Sequence, residues 1–166
     1  MRIAMLALAL TLAISGPVTA GPFEDGMAAY DRQDYVLAVQ WFRRAADQGN
    51  DNAQFLLGVM YRNGEGVPQD YALSVLWFRK AADQGDASAQ FNLGAMYHVG
   101  LGVPKDYTLA YMWANLAAAG APGRAQPAYL REMAQKARDA TASRMTPAQI
   151  GEAQRLSREW KPTGKR

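Results

Sequence analysis

The sequence repeats itself with a period of 36 residues. The dipeptide Asp-Tyr begins at Asp34, Asp70 and Asp106, and a tryptophan follows each dipeptide at the same interval. Residues 34–69 and 70–105 are identical at 23 of 36 aligned positions. A period of this length is typical of solenoids, in which each unit is one supersecondary structure that packs against its neighbours.

Each unit carries signals for two helices. Asp70 is a suitable N-cap for one helix, whose apolar residues recur every four positions and which ends near Gly85. The other helix is predicted from about Ala87 to Val99, after Asp86 as its cap. It ends at Gly-Leu-Gly-Val-Pro, whose glycines permit positive φ and whose proline stops the helix. Because one antiparallel pair cannot bury its apolar faces alone, successive pairs must stack.

Two consecutive motifs carry the period: D-Y-x-x-A/S-x-x-W-F-R-x-A-A-x-x-G and A-Q-x-x-L-G-x-M-Y-x-x-G-x-G-V-P. They closely resemble the Sel-one-like repeat family, which is related to the tetratricopeptide repeats. The resemblance covers roughly residues 23–126. The expected fold is all-α, a right-handed α-solenoid of stacked antiparallel helix pairs with a helical C-terminal cap.

The repeats do not fill the whole chain. Phe23–Tyr30 resembles the closing helix of a degenerate first unit, and further units begin near residues 34, 70 and 106. After Gly120 the L-G-x-M-Y segment is missing, so the last helices are predicted to form a cap. A capping box at residues 146–149 predicts a final helix from about Pro147 to Trp160. The predicted divisions are a signal peptide (1–20), repeats (21–126), capping helices (127–160) and a basic tail (161–166).

The N-terminus has the pattern of a signal peptide. Arg2 precedes an apolar run from Ile3 to Ile14, which is shorter than the ~20 residues that cross a bilayer. Small residues before Gly21 predict cleavage after Ala20, with retention as the alternative. Residues 138–160 also resemble the C-terminal helices of exported bacterial members of the family. We expect the protein in the periplasm or secreted.

Composition excludes several kinds of chemistry. The chain has no cysteine and a single histidine, His98, which removes disulfide frameworks, zinc fingers and cysteine nucleophiles. His98 stands where the preceding unit has Arg62, so we interpret it as an exposed polar residue rather than a metal ligand or catalytic base. Asp47, Asp83 and Asp86 flank turns and are interpreted as helix caps. We predict no metal and no cofactor.

No catalytic motif is recognisable. The sequence lacks G-x-S-x-G, a Walker loop and Ser-x-x-Lys, and its G-x-G-V-P turns follow no predicted strand. Some cysteine-rich relatives of the family have been described as β-lactamases, but this chain has neither their cysteines nor a serine-lactamase signature. We therefore predict that the protein is not an enzyme, and an envelope hydrolase is kept as an alternative.

Comparison of the units indicates a candidate binding surface. Four positions that differ between the aligned units are spaced by four, three and four residues, so they form one stripe on a helix. Arg62 and His98 lie beside it, and none of Leu56, Arg62 and Asn92 is assigned to the stacking core. In related repeats the corresponding helices line a concave groove; drift at solvated positions is the alternative explanation. The predicted partner groove comprises Asn52, Leu56, Val59, Arg62, Asn63, Ser88, Asn92, Ala95, His98 and Val99.

Charge is unevenly distributed. Residues 21–120 hold 7 basic and 11 acidic side chains, whereas residues 121–166 hold 10 basic and 4 acidic ones. The net charge of +3 is too small to indicate nucleic-acid binding. We interpret the chain as an exported, monomeric, noncatalytic adaptor for a peptide or protein. The alternative is peripheral binding of peptidoglycan or anionic lipid through the basic cap.

Overall fold

A computed structural model describes residues 21–163, which form eight α-helices and no β-strand within that range. The predicted signal peptide, residues 1–20, lies outside the described residues, as do residues 164–166. The helices are α1 (Pro22–Asp31), α2 (Tyr35–Asp47), α3 (Asp51–Asn63), α4 (Tyr71–Asp83), α5 (Ala87–Val99), α6 (Tyr107–Ala119), α7 (Ala128–Ala142) and α8 (Pro147–Glu159). No helix among them is long and apolar enough to span a membrane.

Short polar side chains start the repeat helices. The carboxylates of Asp34, Asp70 and Asp106 each accept a hydrogen bond from the backbone N–H three residues on, at 2.9–3.1 Å. Asn50 and Asp86 do the same for α3 and α5. Each cap satisfies a backbone donor that the first turn of a helix leaves unpaired. The capping residues thus recur with the 36-residue period of the sequence. The predicted bounds of α5 are confirmed.

The glycine-rich turns fix how consecutive helices meet. Gly64 and Gly100 end α3 and α5 in the left-handed conformation. Gly102 is also left-handed, and a Cβ there would clash with the carbonyl oxygen of Tyr71. The turn after α5 therefore rests directly on the start of α4, which only glycine allows.

Successive helices pack as antiparallel pairs around separate buried apolar clusters. One core cluster joins α1, α2 and α3 around Phe42 and Leu57; the next joins α4, α5 and α6 around Phe78 and Trp113. Gly58 lies against the ring of Phe78, where an added Cβ would be 2.5 Å from a ring carbon. The paired helix α4 therefore passes close to α3 at this glycine.

The last two helices close the stack. α7 and α8 both pack on α6, and the indole of Trp160 meets that of Trp113 edge-on, with ring centroids 6.3 Å apart. The chain then crosses back, and the N–H of Thr163 donates to the carbonyl oxygen of Asp83 at 2.7 Å. The capping box of Thr146 and Gln149 is present, as predicted.

Candidate functional site

The varying residues lie on α3 and α5, which are neighbours in the stack. Four of them are exposed: Asn52, Asn63, Ala95 and Val99. α3 and α5 are in contact, and a hydrogen bond joins Arg62 on α3 to Asn92 on α5. We call the varying residues of these two helices the α3–α5 surface. The half-buried members of the predicted groove are Leu56, Val59, Arg62, Ser88, Asn92 and His98.

Several predicted groove residues also hold the repeats together. Arg62 donates a hydrogen bond from Nη1 to the side-chain oxygen of Asn92, and its guanidinium lies 5.9 Å from the ring centroid of Phe78. Leu56 packs against the first core cluster and Val59 against the second. The expectation that Leu56, Arg62 and Asn92 stand outside the stacking contacts is therefore wrong. Sequence comparison cannot distinguish residues that vary for stacking from those that vary for recognition.

His98 occupies the position equivalent to Arg62 and makes an equivalent connection. Its Nδ1 lies 2.9 Å from the hydroxyl of Thr141 on α7, and its ring meets Tyr107 edge-on at 5.2 Å. Burial lowers the pKa of the imidazole below its ordinary value, and the cations of Arg144 and Lys105 lower it further. The interpretation of His98 as an exposed polar residue is thus only half right, because it is half-buried and linked to the cap.

A pocket of about 220 Å³ opens where α5, α6 and α7 meet. We call it the α5–α7 pocket; it is apolar apart from one imidazole and one hydroxyl, and none of its lining residues is acidic. Three predicted groove residues contribute to it, so it continues the α3–α5 surface. Its lining residues are Gly94, Ala95, His98, Val99, Ala110, Ala114, Ala137, Ala140 and Thr141. The contribution of α7 could not be predicted, because nothing in the period indicates how the cap docks.

A second, smaller pocket of about 80 Å³ lies at the opposite end of α5. Asp51 and Arg124 form an ion pair beside it, and Asp86 caps α5 there. Burial raises the pKa of Asp86, and the neighbouring Asp51 adds to the effect. Asp47 and Asp83 do not cap helices; they are the last residues of α2 and α4. Within residues 21–163 no cluster of three potential metal ligands is found.

The two pocket-bordering groups with shifted pKa values, Asp86 and His98, do not converge. Asp86 and His98 stand at opposite ends of α5, about 18 Å apart along the helix axis. General acid–base catalysis requires groups within hydrogen-bond reach of one substrate. These two groups therefore cannot act together on one small molecule.

The basic cap partly neutralises itself. Arg155 pairs with Glu152 and Glu159, Lys136 with Glu132, and Arg138 with Asp139. In the described part of the chain, four cap cations have no carboxylate within 4 Å: Arg131, Arg144, Arg158 and Lys161.

The stacked antiparallel pairs define the protein as an α-solenoid of the repeat-scaffold class. The family described as Sel1 repeat matches residues 24–50, 51–86 and 87–121. The chain therefore belongs to the Sel1 repeat family, as the sequence motifs indicated. These repeats begin at α1, α3 and α5, whereas the division proposed from the sequence starts units at residues 34, 70 and 106; both follow the same period.

Two solved structures are similar to this chain. One is c5321, a protective antigen of uropathogenic Escherichia coli strains with an SLR fold; it is 32% identical, with a TM-score of 0.74. The other is a Sel1 repeat protein from Oxalobacter formigenes, 36% identical, with a TM-score of 0.57. The alignments cover 84% and 60% of this chain but only 29% and 40% of those proteins. No curated protein matches the chain.

Proposed function

We propose that this protein is a noncatalytic adaptor that binds a peptide or partner protein on the α3–α5 surface. The observation that carries the proposal is the arrangement of exposed varying residues on two adjacent helices. Asn52 and Asn63 offer polar contacts, and Ala95 and Val99 offer apolar ones. Such a mixture suits recognition of an extended peptide or a helix. The separation of Asp86 from His98 supports a noncatalytic role.

We also propose that the adaptor works outside the cytoplasm as a monomer. Export is supported by the signal-peptide pattern of residues 1–20. Stacking and capping supply the packing of the described fold, and the chain has no cysteine with which to form a disulfide.

Site-specific photo-crosslinking in the native cell envelope tests the surface directly. A photoreactive amino acid at Asn63 or Val99 should give a discrete adduct with one partner, because both side chains are exposed on the α3–α5 surface. Matched probes at Val36 and Leu76, which are exposed apolar positions on α2 and α4, should give none. Equal adducts from all four positions, or adducts from α2 and α4 alone, contradict the proposal.

Charge insertion provides an independent test. Asn52→Glu, Ala95→Glu and Val99→Glu change exposed residues only, so the fold should keep its melting temperature while partner capture is lost. The control variant carries Val36→Glu, Leu76→Glu and Ala148→Glu, which are also exposed. Capture that survives the first set but fails in the control would locate binding on the other face.

The basic cap supports a second candidate function, peripheral binding of an anionic envelope surface. The observation favouring it is that Arg131, Arg158 and Lys161 have no carboxylate within 4 Å in the described structure. Such binding should weaken steeply as salt rises. Replacing these three residues by Gln should remove salt-sensitive binding to phosphatidylglycerol vesicles or peptidoglycan. If salt and the replacements have no effect, this candidate is rejected.

A further inference from the structure

The third repeat lacks an aromatic ring that the first two contain. Phe42 and Phe78 are equivalent residues in α2 and α4, and both are fully buried. The residue 36 positions after Phe78 is Ala114 in α6. The repeat thus loses a phenyl group at the point where the solenoid meets its cap.

The phenyl ring occupies a space between helices in the second repeat, and the corresponding space is open in the third repeat. In the second repeat, the ring of Phe78 lies against Gly58 and beneath the guanidinium of Arg62. In the third, the residues equivalent to Gly58 and Arg62 are Gly94 and His98. Both line the α5–α7 pocket together with Ala114. α6 lies close to Gly94, because an added Cβ there would be 3.1 Å from the carbonyl oxygen of Ala110. The pocket stays open beside this contact.

The opening is large enough for a ring. Its volume is about 220 Å³, and a dry apolar cavity of ~150 Å³ in another protein accepts benzene. Its walls are methyl groups and backbone of alanine and glycine, with one imidazole and one hydroxyl at the side. Such walls match the face of a phenyl group better than a polar or charged side chain.

Two cations stand near the His98 end of the pocket. Arg144 lies two residues after the end of α7, and its backbone N–H donates to the carbonyl oxygen of Thr141. Lys105 lies over the ring of Tyr107, which itself contacts His98. Neither cation has a carboxylate within 4 Å in the range 21–163. Both act on the imidazole of His98 electrostatically. This end of the pocket therefore favours a negative group.

We infer that the α5–α7 pocket anchors the partner by receiving a phenylalanine side chain, with an adjacent carboxylate directed to Arg144 and Lys105. The inference rests on the proposed function, since the rest of the peptide would continue along the α3–α5 surface. The expected partner is a peptide that carries phenylalanine beside an acidic residue, or phenylalanine as its last residue, whose C-terminal carboxylate then serves.

Small probes and the single histidine give a direct assay. N-acetylphenylalanine should shift the imidazole NMR signals of His98 in a saturable manner, whereas N-acetylalanine at equal concentration should not. N-acetylphenylalaninamide should bind about two- to fivefold more weakly, the loss expected for one exposed ion pair. Identical shifts from the alanine and phenylalanine probes, or none from either, would overturn the inference.

Two variants test the location. Ala114→Phe supplies the ring that the third repeat lacks, so it should abolish probe binding while helicity is retained. Ala140→Trp blocks the pocket from an exposed position on α7 and serves if the first variant does not fold. Ala148→Trp, at an exposed position on α8, is the matched control and should bind as the wild type does. Unchanged binding in both Ala114→Phe and Ala140→Trp rules the pocket out.

A displayed random-peptide library separates this inference from the function on which it rests. Peptides selected by the protein should contain phenylalanine beside Asp, Glu or the C-terminus, and should lose binding to Ala140→Trp. Selected peptides that ignore Ala140→Trp but fail with Asn52→Glu and Asn63→Glu, which change exposed residues outside the pocket, would refute the anchor and leave the adaptor standing. If the phenylalanine probe binds but no peptide is selected, the adaptor proposal is refuted, and the assignment of a phenyl ring and a carboxylate to the α5–α7 pocket is retained.

Discussion

Replacing Gly58 by alanine should destabilise the protein, although alanine is normally the better residue in a helix. Gly58 lies within α3 and is buried, and an added Cβ would meet two ring carbons of Phe78 at 2.5 and 2.7 Å. The ring cannot move aside freely because Phe78 is fully buried among α4, α5 and α6. Either the helices separate or the ring leaves its preferred rotamer.

The expected size follows from two opposing terms. Helix propensity favours alanine over glycine by about 1 kcal/mol, whereas overpacking a fixed core destabilises by roughly 1–3 kcal/mol. A contact at 2.5 Å with a buried ring belongs at the upper end of that range, so the net loss should be about 1–2 kcal/mol. For a chain of this size the melting temperature should fall by roughly 2–8 °C.

Gly151 is the matched control. It lies within α8, is exposed, and has nothing within 4 Å of an added Cβ. Gly151→Ala should therefore stabilise by about 0.5–1 kcal/mol. Thermal unfolding followed by circular dichroism compares the two variants. If both raise the melting temperature, the close approach of α3 to Phe78 is not a feature of the folded protein and the reasoning fails.

Four further predictions concern a second helix contact, a helix cap, the titration of His98 and the mature N-terminus. Gly94→Leu should destabilise by roughly 1–3 kcal/mol or more in thermal unfolding, because backbone atoms of α6 lie within 3.2 Å of the added Cβ. Thr146→Ala should remove the capping box and destabilise by about 1 kcal/mol, and Ala148→Gly beside it is a control for helix propensity alone. By NMR, the pKa of His98 should lie below 6.5, and Arg144→Gln should raise it. Because the imidazole binds its proton more tightly in the unfolded chain, the folded protein should be most stable above pH 6.5 and should lose this contribution as the pH falls. Intact-mass measurement of envelope fractions should give a chain beginning at Gly21, and a mass that retains residues 1–20 in the cytosol would contradict export.

Local structure was accessible from the sequence because it depends on residues a few positions apart. Asp86 predicts the start of α5, and the capping box at Thr146 predicts the start of α8, since each side chain bonds the backbone of its own first turn. The repeat adds the stacking of the helix pairs, because neighbouring identical units must bury the same faces.

Residue roles that depend on distant partners could not be assigned in this way. Arg62 and Asn92 vary between units, which suggested recognition, but they bond each other across two repeats. His98 reaches a hydroxyl on α7, 43 residues away, at a site that has no counterpart in the period. The α5–α7 pocket likewise exists only because the cap docks over the alanine that replaces a repeated phenylalanine. The helices and their order of stacking follow from residues that are close in the chain or one repeat apart. Which of the varying residues remain available to a partner depends on contacts between distant segments, and those segments share no local signal in the sequence.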